Sequence, residues 1–410
     1  MDLTWSTADL AFRDEVRAFL EEKLTPELRQ AGRLMTSVYA DHAASMQWQR
    51  ILHERGWAAP AWPVHYGGCA WSLTQHYVFS RESTLAGAPS LSPMGIRMVA
   101  HAIIAFGTEA QKEYFLPRIL TGEVFFCQGY SEPEAGSDLA SLSMAAVDDG
   151  DHLLCTGSKI WTTHAREANW MFGLVRTSRT DKKQQGITFV LIDMTSPGIQ
   201  IRPLVMTSGE EIQNQVFFDE VRVPKSNVLG AIDDGWTVAK YLLEFERGGG
   251  ASSPALQVMA EEIAAAAADQ PAPAGGRLID DPAFARKLAD ARIRTEVLEI
   301  LEYRVLATVS EGGNPGAASS MLKVLATELS QALTELAMEA AGPRGRVYQP
   351  HATRPGGPVS EFEPPADGYV SGEPWQAAAP LHYFNDRAGS IFAGSNEIQR
   401  NILAKAALGL

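Results

Sequence analysis

Cysteine is scarce in this chain: 410 residues hold only Cys69, Cys127 and Cys155. Three widely spaced cysteines fit neither a disulfide framework nor a zinc site. The nine histidines show no paired ligand spacing such as H-E-x-x-H. No stretch approaches the ~18 consecutive apolar residues of a membrane span. Met1-Asp2-Leu3-Thr4 starts acidic and polar, without a basic segment leading into an apolar core, so no signal peptide is expected. A reducing, cytoplasmic compartment is the simplest expectation. Positive charge is also in deficit, with 35 Lys and Arg against 49 Asp and Glu and a formal net charge of -14. That balance argues against a nucleic-acid footprint, although it leaves room for a local basic pocket facing an anionic ligand.

What remains is an ordinary globular composition, 45% hydrophobic and 20% charged. The length suffices for two or three domains with substantial cores. Ser6-Thr7-Ala8-Asp9 reads as a capping box, followed by Phe12, Val16, Phe19 and Leu20 at helical spacing. Trp48, Ile51 and Leu52 mark another helix ending near Gly56. Thr108-Glu109-Ala110-Gln111 opens a further one, which Pro117 interrupts or kinks. The character changes near Gly122. Val147-Asp148-Asp149-Gly150-Asp151 is a hairpin-type turn, and Trp170 to Val175, Ile187 to Ile192, Ile199 to Leu204 and Val216 to Val223 read as strands. Helical patterning returns from Gly235, with long helices over 283–311 and 316–341 and a last one after Gly394. Ala264 to Asp281 and Gly342 to Pro380 are rich in Pro and Gly and read as loops. The expected fold is α+β: an N-terminal helical domain (1–121), a middle antiparallel β domain (122–233) and a C-terminal helical bundle (234–410).

The segment Ser131-Glu132-Pro133-Glu134-Ala135-Gly136-Ser137-Asp138 carries no hydrophobic period. Pro133 and Gly136 bar a regular interior, and the short polar groups suit either a surface turn or a loop that contacts a ligand. Other segments decide between these. Gly107-Thr108-Glu109-Ala110-Gln111-Lys112 with Leu116-Pro117, Gly157-Ser158-Lys159-Ile160-Trp161-Thr162-Thr163, Phe217 to Pro224 and Ala393-Gly394-Ser395-Asn396-Glu397-Ile398-Gln399-Arg400 complete an ordered set of five. Together they resemble the acyl-CoA dehydrogenase family over most of the chain.

The resemblance implies FAD, an acyl-CoA thioester substrate and α,β-dehydrogenation to a trans-2-enoyl-CoA. It also implies electron-transfer flavoprotein as the acceptor and a homodimer, homotetramer or heteromer with a paralogous subunit. By the same resemblance, Gln128, Tyr130 and Ser131 line the flavin ring. Trp161, Thr162 and Thr163 cover its other side, Ser137 lies towards the CoA pantetheine, and Ser395, Asn396 and Glu397 touch the adenosine portion. Glu244 and Arg247 match a charged pair near the CoA chain, and Phe392, Ala393 and Gly394 match residues beside the thioester. Two related readings keep the fold: an acyl-CoA oxidase or flavin monooxygenase, and a subunit without catalysis of its own.

The reaction needs a base for the α-proton. Many family members carry a Glu where this chain has Ala393, which cannot abstract a proton. Others, of the isovaleryl-CoA dehydrogenase type, place the base on the first helix of the C-terminal domain, where Glu246 aligns. Ala239, Leu243, Glu246 and Gly250 fall on one small, mostly apolar stripe, where a carboxylate is desolvated and its pKa raised. The competing reading is a solvated helix charge paired with Arg247, but consecutive helical residues do not face each other. The resemblance implies that the backbone N–H of Ala393 meets the thioester oxygen, a donor that survives loss of the side chain. Two family elements are missing: an Arg-x-x-Phe-Gly segment for the FAD pyrophosphate and a Gly-Gly-x-Gly stretch. Arg277, Arg344 and Arg346 are the candidate replacements, and the pattern resembles larger subunits of bacterial two-subunit members.

Overall fold

The computed structural model describes residues 5–36, 41–248, 251–310 and 316–409; the side chains of 244–248 lie outside that description. The N-terminal helices are α1 (Thr7–Lys23), α2 (Pro26–Arg33), α3 (His42–Arg55), α4 (Leu73–Leu85), α5 (Ala100–Phe106) and α6 (Glu109–Thr121), with a π-helical turn at Met94–Val99 before α5. Seven strands follow: β1 (Phe126–Gly129), β2 (Ala145–Asp149), β3 (His152–Lys159), β4 (Trp170–Arg176), β5 (Ile187–Asp193), β6 (Ile199–Leu204) and β7 (Gln213–Pro224). The chain ends in α7 (Gly235–Gly248), α8 (Ser253–Asp269), α9 (Pro282–Ser310), α10 (Ala318–Ala341), α11 (Pro374–Asp386) and α12 (Asn396–Leu408). These elements form two compact units. One comprises Met1–Ala44, Trp71–Ser90 and Gly250–Leu410; the other comprises Ser45–Ala70 and Leu91–Gly249.

Local chemistry explains most of the helix starts. Ser6 caps α1, its Oγ accepting the Asp9 N–H at 3.1 Å. Thr108 and Gln111 cap α6 reciprocally, and the same Gln111 amide donates to the Ser226 and Val228 carbonyls at 2.8 and 2.9 Å. One buried side chain thus starts a helix and ties it to the segment after β7. Pro117 does not interrupt α6, which continues to Thr121 because Phe115, Leu116 and Ile119 are buried along it. α8 takes its cap from another helix. The buried Glu302 carboxylate of α9 accepts the Ser252 and Ser253 N–H groups at 2.6 and 3.1 Å and the Ser253 hydroxyl at 2.5 Å.

The sheet runs β1-β4-β2-β3-β7-β6, with β5 also paired to β4. Most pairs are antiparallel, but β1 lies parallel to β4, placing Gln128 opposite Phe172 and Gly129 opposite Gly173. β4 and β5 are buried on both faces, which is why they read as unbroken apolar runs. Cys127 and Cys155 belong to this core, and burial pushes the Cys155 thiol up to about 12, so neither cysteine is a poised nucleophile.

In the C-terminal bundle, α8, α9 and α10 bury Leu256, Ile263, Leu288, Leu298, Leu329 and Leu333 against one another. Two expected loops are partly helical. α8 extends through Asp269, because the alanine run favours helix and Ala267 is fully buried; the loop begins at Gln270. α11 forms inside the expected loop over 342–380. Pro374 sits at its start, where the missing N–H costs nothing, and Ala377, Ala378, Ala379 and Leu381 are buried.

Candidate active site

The segment from Gln128 to Ser131 leaves the edge of the sheet, and Glu132 fastens it. Glu132 Oε1 receives Lys159 Nζ at 2.8 Å and the Met144 N–H at 2.9 Å, and Oε2 receives the Ser143 N–H at 2.7 Å. Lys159 also donates to the Tyr130 carbonyl at 3.2 Å. Both members are buried, Lys159 almost completely. Burial works against the charge on each, drawing Lys159 down from its ordinary pKa and pushing Glu132 up. For Glu132, Lys159 and the two amides outweigh burial, and its carboxyl is held below its ordinary value. Glu132 is therefore a brace. Glu134 and Asp138 are exposed, Asp138 pairing with Lys183 at 2.7 Å. Ser137 is exposed; a Cβ at Gly136 would meet no atom within 4 Å, so packing does not demand that glycine.

Tyr130 is a core residue, its ring edge-on to Phe172 and Phe189 at 5.7 and 6.3 Å. Its ring belongs to the core, and its carbonyl accepts Lys159 Nζ. Gln128 and Ser131 are half-buried. Gly129 is demanded by packing, since a Cβ there would lie 2.3 Å from Met171 Sδ.

The Ile160 N–H donates to the Ser131 carbonyl at 2.9 Å and so joins this wall to the next segment. Trp161 has φ +59° and is 58% exposed. Thr162 is clamped by Asn214, which accepts its N–H and donates its side-chain amide to its carbonyl, both at 3.0 Å. The Thr162 hydroxyl faces inward and has no hydrogen-bond partner among the described residues. The Thr163 hydroxyl meets Gln213 Nε2 at 3.0 Å. His164 also adopts positive φ, at +56°, with its N–H bonded to the Ile212 carbonyl. Non-glycine residues in the left-handed region cost of order 1–3 kcal/mol each and persist where the surroundings impose them. Asn214 and Ile212 impose them here. The family resemblance had pointed to Trp161, Thr162 and Thr163, but not to Asn214, Gln213 or the Lys159–Glu132 brace. Lys159 left one trace, a lysine at a buried position of a strand pattern; Asn214 left none.

The same unit contains α7, which packs against β5, α5 and the π-turn. Val238, Ala239 and Leu242 are buried on it, and Tyr241 meets Phe106 edge-on at 5.3 Å. Position 246 lies two turns after Ala239 on the same helix face. The side chains of Glu244, Glu246 and Arg247 lie outside the described residues, as does Gly250.

In the other unit, Ala393 has φ +54° and Gly394 +78°, and the Ala393 carbonyl accepts Gln399 Nε2 at 2.9 Å. Among the described residues the Ala393 N–H finds no acceptor. Phe392 is exposed. Ser395 caps α12 through the Ile398 N–H, and its hydroxyl holds the Glu397 carboxyl below its ordinary pKa. Asn396 is buried and committed to Lys323 at 2.8 Å and to Thr327, so it fastens α12 to α10. Of the three arginines weighed for the pyrophosphate, Arg277 is forked onto Asp280 at 2.8 and 3.2 Å; Arg344 and Arg346 are exposed.

A flat, polar-edged ring fits the 128–132 and 160–163 segments. The observation is Trp161, a strained backbone that presents a large exposed indole, which a stacked ligand would cover. No helix among the described residues is long and apolar enough to cross a membrane.

Three family descriptions match the chain: "Acyl-CoA dehydrogenase, N-terminal domain" over residues 6–123, "middle domain" over 127–221 and "C-terminal domain" over 233–408. Among characterised relatives, acyl-CoA dehydrogenase IpdE1 of Mycobacterium tuberculosis is 34% identical over 406 residues, covering 97% of both chains. Acyl-CoA dehydrogenase FadE26 of the same organism is 31% identical over 419 residues, covering 100% of this chain and 99% of its own. The chain superposes on the ChsE4-ChsE5 complex from Mycobacterium tuberculosis with a TM-score of 0.80 at 29% identity, covering 100% of this chain and 99% of that one. It superposes on the Tcur3481-Tcur3483 steroid ACAD with a TM-score of 0.82 at 27% identity and the same coverage. With its helical, β and helical parts in family order and three family descriptions spanning nearly its whole length, the chain belongs to the acyl-CoA dehydrogenase family, flavoprotein oxidoreductases that act on the CH–CH group of acyl-CoA thioesters.

Proposed function

We propose that this chain binds FAD and converts an acyl-CoA thioester to its trans-2-enoyl product, with Glu246 removing the α-proton. When bound, FAD supplies the acceptor for the β-hydride. Trp161 stacks on one side of the ring. The backbone of Gln128 to Ser131 and the Thr163 hydroxyl meet its polar edge, and Ser395 and Glu397 border the adenosine portion. The Lys159–Glu132 brace and the Asn214 clamp fix these groups before ligand arrives, so little ordering remains to be done on binding. Ala393 offers its N–H, which has no acceptor among the described residues, to the thioester oxygen, where negative charge develops as the α-proton leaves. Ser137, Glu244, Arg247, Phe392 and Gly394 contact the CoA thioester arm.

The single observation that carries the reading is Trp161, exposed, strained and joined to the 128–132 wall through Ile160. The assignment of Glu246 rests on Ala393 lacking a carboxylate and on position 246 sharing a face with buried Ala239. The steroid enzyme among the relatives supports a bulky, ring-bearing acyl group. Both structural relatives named above are two-component assemblies, which supports work in an oligomer; electron-transfer flavoprotein as the acceptor rests on the family resemblance. The test is anaerobic titration of the purified flavoprotein with a panel of acyl-CoAs. Bleaching of the flavin by ring-bearing substrates is expected. A colourless protein overturns the cofactor assignment, and preference for short straight chains overturns the substrate class. Rapid reoxidation in air with product bound would instead indicate an oxidase.

A further inference from the structure

The π-helical turn Met94–Val99 leads directly into α5. Turns of this kind recur at functional sites, and each holds one residue more than an α turn. The cause of this one lies outside the helix. The Ala100 N–H bonds to the Gly95 and Met98 carbonyls. In an α-helix it would bond to Ile96, four residues back. The Ile96 carbonyl instead accepts the indole N–H of Trp62 at 2.8 Å. Ile96 and Trp62 are both buried, and a buried carbonyl needs a donor. An α turn would supply that donor from Ala100. Because Trp62 supplies it, the turn stays wide.

Within the same compact unit the turn packs on β1, whose strand holds Gln128, and on α7, the helix that carries position 246. α6 backs it as well: a Cβ at Gly95 would lie 3.2 Å from Ile119 Cγ2, so the turn has little room to shift alone. α5 also packs on α7, with Phe106 edge-on to Tyr241 at 5.3 Å, and Tyr241 stands five residues before Glu246. One residue more or less in a helical turn rotates everything beyond it by about 100° around the axis. The seating of Phe106 on Tyr241 therefore depends on the turn, and the turn depends on Trp62. We infer that Trp62 is a positioning residue: through the Ile96 carbonyl it holds the π-turn wide and so seats the base-bearing helix α7 relative to the flavin wall at β1. This inference rests on the dehydrogenation proposed above, although no residue assigned there to FAD or acyl-CoA includes Trp62.

Trp62→Phe keeps an aromatic ring and removes the donor. The test is stopped-flow anaerobic bleaching of the flavin-loaded, full-length protein by the acyl-CoA that bleaches wild type fastest, with flavin content recorded alongside. The variant is expected to keep its flavin. Its bleaching rate at saturating substrate is expected to fall ~10–100-fold, the scale of a misplacement approaching 1 Å at the reacting groups. The substrate concentration giving half the maximal rate should change less than about 3-fold, because binding is left alone. A tryptophan that only fills the core would lower thermal stability without this split. Phe106→Leu tests the route. If Trp62 acts through α5 and α7, the double variant is no slower than the slower single one; if the two act separately, their effects multiply. The inference is overturned by an undiminished saturating rate in Trp62→Phe, by loss of its flavin, or by multiplying effects in the double variant. Wild type that no acyl-CoA bleaches overturns the dehydrogenation itself, and this inference with it; an active wild type beside an equally active Trp62→Phe overturns this inference alone.

Discussion

Replacing Lys159 with Met keeps a long apolar stem and removes one charge from a buried pair. The consequence follows from what Glu132 keeps. Removing one partner of a buried ion pair typically costs ~3–5 kcal/mol, because the other charge is left in low dielectric. Glu132 retains the Ser143 and Met144 N–H groups and the Ser143 hydroxyl, so the lower end, about 3 kcal/mol, is expected. In a cooperative unit of ~150–250 residues, 1 kcal/mol shifts the melting temperature by about 2–4 °C, giving a drop of about 6–12 °C. The pH dependence has a definite sign. In the folded protein the Glu132 carboxyl is held below its ordinary value of 4.5. Its contribution is therefore present above that value and lost as pH falls through the folded pKa. Without Lys159, burial raises the Glu132 pKa, so the gap between wild type and variant should be widest at neutral pH and narrow as both carboxyls protonate. Differential scanning calorimetry between pH 7 and pH 4 reads this directly. A drop below about 2 °C at pH 7, or a gap that stays constant on acidification, refutes the account of the brace.

Glu246→Gln should retain the flavin spectrum and lose substrate bleaching by a factor of ~10²–10⁴ or more, the range for a general base; undiminished bleaching in stopped flow would remove Glu246 from the mechanism. Trp161→Gly should relieve the positive φ, leaving thermal stability equal or higher while weakening FAD retention about 10-fold by equilibrium dialysis, a split that a purely structural tryptophan does not produce. Gly129→Ala forces Met171 aside and should cost ~1–3 kcal/mol in denaturant unfolding. Glu302→Gln replaces an acceptor-only cap by an amide facing three donors and should cost ~1–3 kcal/mol. Burial raises the Glu302 pKa, so wild type loses some stability as pH rises from 4.5 through that raised value, and the variant should lack this slope.

Elements built from local signals were readable from sequence. The caps at Ser6 and Thr108, the turn at Gly150 and the doubly buried strands β4 and β5 all announce themselves within a few residues. Elements decided by remote partners were not. α11 lies in a Pro- and Gly-rich stretch, and only burial of its alanines shows why it folds. The parallel pairing of β1 with β4 joins Gln128 to Phe172 across 44 residues that carry no sign of strand direction. The candidate site divides in the same way. Its ordered motifs named Gln128, Ser131 and Trp161, whereas Glu132 as a brace and Asn214 as a clamp depend on contacts 27 and 52 residues distant. A motif of short polar residues does not show which of them face a ligand and which hold the loop.

The Glu302 cap also bears on the order of events in folding. Ser252 does not cap α8 with its own side chain, so an isolated α8 segment begins with unsatisfied N–H groups. They find their acceptor fifty residues later in the chain, on α9. The first turn of α8 can therefore become stable only after α9 has formed and docked. In a kinetic experiment, a mutation at Glu302 should leave the folding rate nearly unchanged and speed unfolding, the signature of a contact made after the rate-limiting step.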